Sequence, residues 1–307
     1  MTVPSRGGDP PEPPDRHSAP SGGEPPRLPE PVTADGRAGL AAILGDPGRA
    51  LVGLDFDGTL SPIVADPAQA WAHPAAGPAL RRVAAVVGTL AVITGRPAAS
   101  AAELGGFSEV PGLIVLGHYG LERWSDGMLD SPPVVPGVAA ARAELPGLLA
   151  GAAAPAGTRA EYKHHALAVH TRQTADPQAA LDQLRGPLTE LAARHGLTVE
   201  PGRMVIELRP HGMDKGQALQ TLVAERQSGA VMYCGDDLGD VAAFGAVCAL
   251  RSTGIPGLTV CSGSAEVSAL AAQADLVVDG PDGIVALLNA LADSVSRGDG
   301  PPAGAPR

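Results

Sequence analysis

Cysteine is scarce in this chain of 307 residues: Cys234, Cys248 and Cys261 are widely spaced and form no CxxC pair. A disulfide-stapled scaffold, a thiolate metal site and dithiol redox chemistry are excluded, and the thiols read as buried groups in a reducing compartment. Aromatic residues make up only 3%, so any core must be built from Ala, Val and Leu. Positive charge is also short, with Lys+Arg 22 against Asp+Glu 33 and a net charge of −11. That balance repels phosphate backbones and argues against a nucleic-acid partner; any phosphate met here must be held locally. No apolar run approaches the ~18 to 20 residues of a membrane span, and residues 1–30 lack the apolar middle of a signal peptide. The expectation is a cytoplasmic protein without a membrane partner.

What is plentiful is glycine, with 40 residues, and proline, with 31. From Met1 to about Arg37 the chain is Pro, Gly, Ser and charge with almost no large apolar side chain, a composition that cannot offset the entropy of ordering. We read residues 1–47 as a disordered tail and 297–307 as a second one. At roughly 150 residues per domain the remainder allows about two domains.

Between the tails, short apolar runs recur at Leu51–Leu54, Leu90–Ile93, Leu113–Leu116, Val231–Cys234, Leu258–Val260 and Leu276–Val278. They are too short for helices and nearly continuous, as strands buried on both faces of a parallel sheet are. Helical stretches fall between most of them, at 78–87, 97–104, 216–226, 265–272 and 283–291, which gives an open α/β core over 48–131 and 209–296. Residues 132–208 break this rhythm. Helices at 137–149 and 177–195 with strands at 160–163, 166–172, 197–200 and 204–209 make an inserted α+β cap domain. Period-2 alternation puts Leu167, Val169 and Thr171 on one face and Ala168, His170 and Arg172 on the other; Met204, Ile206 and Leu208 likewise oppose Val205, Glu207 and Arg209. The greasy face packs the cap's own helices, and the polar face is free to meet a substrate.

Each core strand ends in polar residues: Asp55-Phe56-Asp57, Thr94-Gly95-Arg96, Gly117-His118-Tyr119-Gly120 and Gly235-Asp236-Asp237. In an open parallel sheet the carboxyl ends of the strands share one edge, where ligands bind, so these groups converge. A carboxylate at Asp55 can attack phosphorus and split one difficult displacement into two easier ones. Asp57, two residues on, sits where it can protonate a leaving alkoxide and then deprotonate water. Thr94 offers a hydroxyl to phosphate, and Lys215 a fixed cation. Asp236, Asp237 and Asp240 repel one another unless a cation joins them, and hard oxygen ligands beside a phosphate indicate Mg²⁺. Blander readings stand beside these: an Asp-Gly turn at Asp57, an N-cap at Thr94, a surface lysine at Lys215 and solvated loop acids at 236–240. Arg96 either caps its helix or approaches substrate, and His118 is either a core histidine or part of the site. His164 and His165 read as solvated strand residues, and Trp71 and Trp124 as packing.

The set DFDGTL, ITGR, DKG and GDDLGD resembles the haloacid dehalogenase superfamily of aspartate-nucleophile phosphotransferases. LDFDGTLSPI, GHYGLER, EYKHHALAVHTR and ELRPHGMDKGQAL together resemble the trehalose-phosphate phosphatases, a likeness running from about Leu51 to Leu291. The resemblance implies a Rossmann-like core with an inserted cap, and hydrolysis of trehalose 6-phosphate, in trehalose biosynthesis, through an aspartyl-phosphate on Asp55. It implies Asp57 as acid/base, Thr94 and Lys215 on the phosphate, and Mg²⁺ held by Asp55, the Asp57 carbonyl and Asp236, with Asp237 and Asp240 on metal-bound waters or the lysine. In the cap, Lys163, His170, Arg172, Glu207 and Gly212 match sugar-contacting positions. Two motifs depart from the family pattern: Glu207-Leu208-Arg209 stands where Glu-x-Lys is usual, and Gly239 and Val241 replace Thr and Glu in GDDxTDE. Phosphatases of other sugar phosphates, such as sucrose phosphate, a phosphomutase, and a non-enzymatic sugar-phosphate sensor are the alternatives. The partner implied is a small sugar phosphate, and the chain is expected to act as a monomer.

Overall fold

A computed structural model of the chain describes residues 27–298 apart from 65, 203, 213 and 264–267. The first half of the core runs α1 (Ala34–Gly45), β1 (Ala50–Leu54), α2 (Ala76–Ala84), β2 (Thr89–Ile93), α3 (Ala98–Gly105), β3 (Ile114–Gly117), β4 (Glu122–Ser125) and β5 (Met128–Asp130). The insert follows as α4 (Pro136–Gly151), β6 (Arg159–Tyr162), β7 (Leu167–His170), α5 (Pro177–Arg194), β8 (Leu197–Gly202) and β9 (Val205–Pro210). The core then resumes with α6 (Lys215–Arg226), β10 (Ala230–Gly235), α7 (Val241–Ser252), β11 (Gly257–Gly263), α8 (Ser268–Ala271), β12 (Leu276–Asp279) and α9 (Gly280–Arg297).

The core strands form one eight-stranded sheet in the order β12-β11-β10-β1-β2-β3-β4-β5. Six of them pair in parallel, and β4 and β5 extend the sheet antiparallel at one edge. Strand β1 is buried along its whole length, and its side chains alternate between two layers. Val52 and Leu54 pack with Ile43 of α1, Leu80 of α2, Ala101 of α3 and Leu288 of α9, while Leu51 packs with Leu219 of α6 and Phe244 of α7. A strand covered on both faces needs apolar residues at every position, which is why these runs are continuous.

The insert is a second layer pair, a four-stranded antiparallel sheet in the order β6-β7-β9-β8 with α4 and α5 on one face. Leu167, Val169, Ile206 and Leu208 point into that helical layer with Leu184 and Leu188, the face the alternation assigns them. Asp176 caps α5 by accepting from the Ala179 N–H at 3.0 Å, with Pro177 at the first helical position, where its missing N–H costs nothing.

The structure corrects the tail reading for residues 27–47. Helix α1 is ordered, capped by Thr33 through the Gly36 N–H, and packed on β10 and β11; its buried face is Gly36, Gly39 and Ile43, too sparse in large apolar residues to stand out from the composition. Residues 1–26 and 299–307, and part of the 265–272 helix, lie outside the described residues. His165 is also corrected: it is fully buried in the β6–β7 turn, with Ser131 Oγ at 2.9 Å and Glu122 at 3.6 Å, while His164 beside it is exposed. Trp124 packs in the core, whereas Trp71 is exposed. Among the described residues no helix is long and apolar enough to cross a membrane. All three cysteines are free; Cys234 and Cys261 are buried as expected, whereas Cys248 is exposed on α7.

Candidate active site

Strands β1 and β10 are parallel neighbours with Leu54 opposite Cys234, so Asp55 and Asp236 leave the sheet side by side. Lys215 reaches the same point from α6, whose first residue it is because Asp214 caps the helix through the Gln217 N–H at 2.8 Å. Its Nζ lies 2.8 Å from Asp55 Oδ1 and 2.8 Å from Asp240 Oδ1. Asp240 Oδ1 also accepts from the Tyr233 hydroxyl at 2.8 Å, and its Oδ2 accepts from the Asp236 and Asp237 N–H groups at 2.9 and 3.3 Å. Four donors thus occupy Asp240, making it the anchor of the lysine and of the loop that carries Asp236.

Asp236 is left in need. Its Oδ1 is buried without a hydrogen-bond partner among the described residues, and burial with the neighbouring Asp240 and Asp237 pushes its pKa up to about 8. Burial likewise raises Asp55, against the pull of Lys215 and with the repulsion of Asp240, Asp236 and Asp237. Burial alone would lower Lys215, but Asp240 and Asp55 outweigh it and hold the ammonium charged. One ligand atom from each of Asp55, Asp236 and Asp240 lies within 4.8 Å of the others. Gly58, at φ +76°, leaves the space this crowding needs, since a Cβ there would fall 2.0 Å from Asp236 Oδ2. A buried, under-bonded cluster of carboxylate oxygens around one lysine fits a hard divalent cation.

The other core residues surround this centre. Arg96 grips Asp57 with two bonds, Nη2 to Oδ1 at 2.6 Å and Nε to Oδ2 at 2.7 Å, and donates from Nη1 to the Pro67 carbonyl at 2.8 Å. It therefore neither caps α3 nor lies free. Thr94 is buried at the end of β2, its Oγ1 accepting from the Arg96 N–H at 3.2 Å. His118 is fully buried with neither ring nitrogen bonded, beside His165 and 4.0 Å from Glu122; burial pushes its pKa down to about 4.

The trehalose-phosphatase family model matches residues 53–278. The chain belongs to the trehalose-phosphatase family. A trehalose-phosphate phosphatase of Mycobacterium avium is 34% identical over 260 residues, 80% of this chain and 63% of that protein. A Mycobacterium tuberculosis protein described as an uncharacterized glycosyl hydrolase is 38% identical over 221 residues, 67% of this chain and 16% of that one. The chain thus spans less than two thirds of these relatives' lengths. The C-terminal domain of Candida albicans trehalose-6-phosphate phosphatase superposes with a TM-score of 0.68 at 21% identity, covering 87% of this chain and 99% of that one. A haloacid dehalogenase-like hydrolase from Bacteroides thetaiotaomicron does so at 0.51 and 18%, covering 81% and 98%. These likenesses show a shared fold.

In this trehalose-phosphatase family member the polar face of the cap sheet carries Lys163, Glu207 and Arg209. Lys163 Nζ lies 2.6 Å from Glu207 Oε2, while Glu207 Oε1 is buried without a partner. Arg209 bonds Glu200 through Nη2 and leaves Nε and Nη1 buried and unbonded. His170 pairs with Glu161 at 2.7 Å. Arg172 stands apart in the exposed turn after β7, and Gly212 takes a left-handed turn (φ +75°) between β9 and α6. The sequence reading missed Tyr119, Glu161, Glu200 and Tyr233. Tyr119 lies in the GHYG motif beside His118, and it is the tyrosine that turns toward the cap, its ring centroid 4.3 Å from the Arg209 guanidinium carbon.

Proposed function

We propose that the chain is a Mg²⁺-dependent phosphatase that hydrolyses trehalose 6-phosphate to trehalose and phosphate in the cytoplasm, as a step of trehalose biosynthesis. The observation that carries this reading is Asp55 held by Lys215 beside the unpartnered Asp236 oxygen. Asp55, Asp236 and the Asp57 carbonyl would hold the metal, with Asp237 toward its waters and Asp240 fixing the lysine. When bound, Mg²⁺ supplies charge neutralisation between the nucleophile and the phosphate. The rest belongs to the chain.

An Asp55 oxygen attacks phosphorus as the bond to the sugar oxygen breaks, and Asp57 gives its proton to that oxygen. Water then attacks the aspartyl-phosphate, losing a proton to Asp57 and restoring the Asp55 carboxylate. Lys215, Thr94 and the backbone near Phe56 and Asp57 hold the phosphate oxygens as charge builds on them. Arg96 sets the direction of the Asp57 carboxyl and must relinquish part of its grip when Asp57 carries a proton. The cap's unbonded groups, Glu207 Oε1 with Arg209 Nε and Nη1, combine acceptor and donors as hydroxyl groups require. They support a polyol substrate, with Lys163, His170, Arg172 and Gly212 in the surrounding cap surface.

Phosphate release from a panel of sugar phosphates, with Mg²⁺ and with EDTA, tests the reading. Trehalose 6-phosphate should be preferred, with turnover lost in EDTA and reduced at least ~10³-fold in Asp55→Asn, which removes the nucleophile. Preference for sucrose phosphate or another ester would reassign the substrate. Substantial turnover by Asp55→Asn would sink the mechanism, and silence across the panel would leave a sensor.

A further inference from the structure

Tyr119 is built into the substrate edge of the core by its neighbours. Its N–H donates to the Thr94 carbonyl at 2.9 Å, and the His118 N–H donates to the Arg96 carbonyl at 2.9 Å. The turn is thereby tied to the loop bearing two candidate site residues. Both His118 and Tyr119 take positive φ, 47° and 59°, a conformation that L residues adopt at a cost. The ring stands over Gly95, where a Cβ would lie 2.7 Å from the hydroxyl.

Against this ring lies Arg209 of the cap, 4.3 Å from guanidinium carbon to ring centroid. A single Arg209 nitrogen, Nη2, is bonded, to Glu200. The buried Nε and Nη1, together with Oε1 of Glu207 on the same strand face, have no partner among the described residues. Tyr119 thus joins the core loop that bears Thr94, through its backbone N–H, to the cap strand that bears Arg209, through its ring.

We infer that Tyr119 is a positioning residue for substrate selection: its ring fixes the plane of the Arg209 guanidinium so that Nε, Nη1 and Glu207 Oε1 face the sugar hydroxyls. The inference rests on the sugar-phosphate reading above and assigns a pair of residues to it. The pair also accounts for arginine where the motif usually has lysine. A guanidinium lies flat on an aromatic face and keeps its N–H groups in one plane, whereas an ammonium on a flexible stem does neither. Tyrosine and arginine are matched across the cleft, and Arg209→Lys is not a conservative change here.

The test measures kcat/KM, with Mg²⁺, for trehalose 6-phosphate and for p-nitrophenyl phosphate, which has no sugar. Tyr119→Asn removes the ring yet tolerates the left-handed backbone. That variant and Arg209→Lys should each lower the sugar-to-aryl ratio about tenfold, the scale of one partly desolvated cation–π contact, mainly through KM. Tyr119→Phe, which keeps the ring face, should recover the wild-type ratio. The double variant should lose no more than either single one. Equal losses on both esters, a Phe variant as impaired as Asn, or additive losses would each overturn the inference. Should Tyr119→Asn fail to fold, Arg209→Lys and Tyr119→Phe alone decide. A wild type preferring a different sugar phosphate overturns the trehalose reading instead, and the ratio is then taken with that ester.

Discussion

Asp236 illustrates how one residue can be kept against the interest of the empty protein. A buried carboxylate oxygen with no donor costs on the order of 1–3 kcal/mol, and here Asp240 and Asp237 add repulsion. Asp236→Asn should therefore leave the melting temperature without metal no lower than wild type. It should also abolish the rise expected from Mg²⁺ in the wild type if the proposed site binds it, about 2.7 kcal/mol at a hundredfold excess over Kd, as differential scanning fluorimetry with and without Mg²⁺ would show. Gly58→Ala attacks the same point from the other side: its Cβ would lie 2.0 Å from Asp236 Oδ2 on a left-handed backbone. Turnover should fall at least ~10²-fold, by analogy with the cost of an ångström's misplacement, and an active Gly58→Ala enzyme would refute the cradle. At this scale the sequence was most readable where a residue follows directly from a strand end, as Asp55, Thr94 and Asp236 do. It was least readable where two adjacent residues compete, because only the dihedrals at His118 and Tyr119 decide which of them is buried.

Strands betrayed themselves more readily than helices. Six parallel strands show as continuous apolar runs, whereas α1, α7 and the β4–β5 edge pair carry no comparable sequence signal. Besides Ile43, helix α1 makes its contact through closeness: a Cβ on Gly39 would fall 1.9 Å from the Gly257 carbonyl oxygen on β11, and one on Gly36 2.4 Å from Asp275. Thr33 bonds Asp275, which also holds Arg251 and Thr259. The helix is thus clipped to the sheet by a buried carboxylate, and composition alone reports none of this. Gly39→Leu should destabilise the protein by roughly 2 kcal/mol or more through overpacking, and truncation at residue 47 should do likewise, whereas truncation at residue 26 removes no described contact. Urea denaturation of the three variants gives the order; a stable truncation at 47 would return α1 to the status of a dispensable leader. The α7 segment, VAAFGAVCALRS, is small and apolar all round, so it shows no period that separates helix from strand.

Across the whole molecule, period-2 alternation made the cap's two faces legible, but the way the cap meets the core was not, since contacts such as Arg209 on Tyr119 join segments far apart in sequence. The junction has a second such contact, where His165 of the cap turn meets His118, Glu122 and Ser131 of the core. The groups facing His118 are Glu122, which favours its charge, and His165, Lys163 and His164, which oppose it; burial, the largest cause, acts with those three against Glu122 and lowers its pKa to about 4. Its folded pKa lies below the ordinary 6.5, so the unfolded chain binds the extra proton first. Stability is fully present above about pH 6.5 and is lost as pH falls toward 4, by an amount on the order of 1–3 kcal/mol. His118→Asn should flatten that slope in melting temperature between pH 7 and 5, and an unchanged slope would place the loss elsewhere. The central position of β1 between β2 and β10 carries a consequence for biosynthesis. The antiparallel cap closes on contacts within its own stretch of chain, while β1 waits for a neighbour translated after the entire cap. Asp55 leaves the ribosome early, but Lys215, Asp236 and Asp240 are translated only after the cap, so a nascent or prematurely terminated chain would carry the proposed nucleophile without the groups proposed to complete its site.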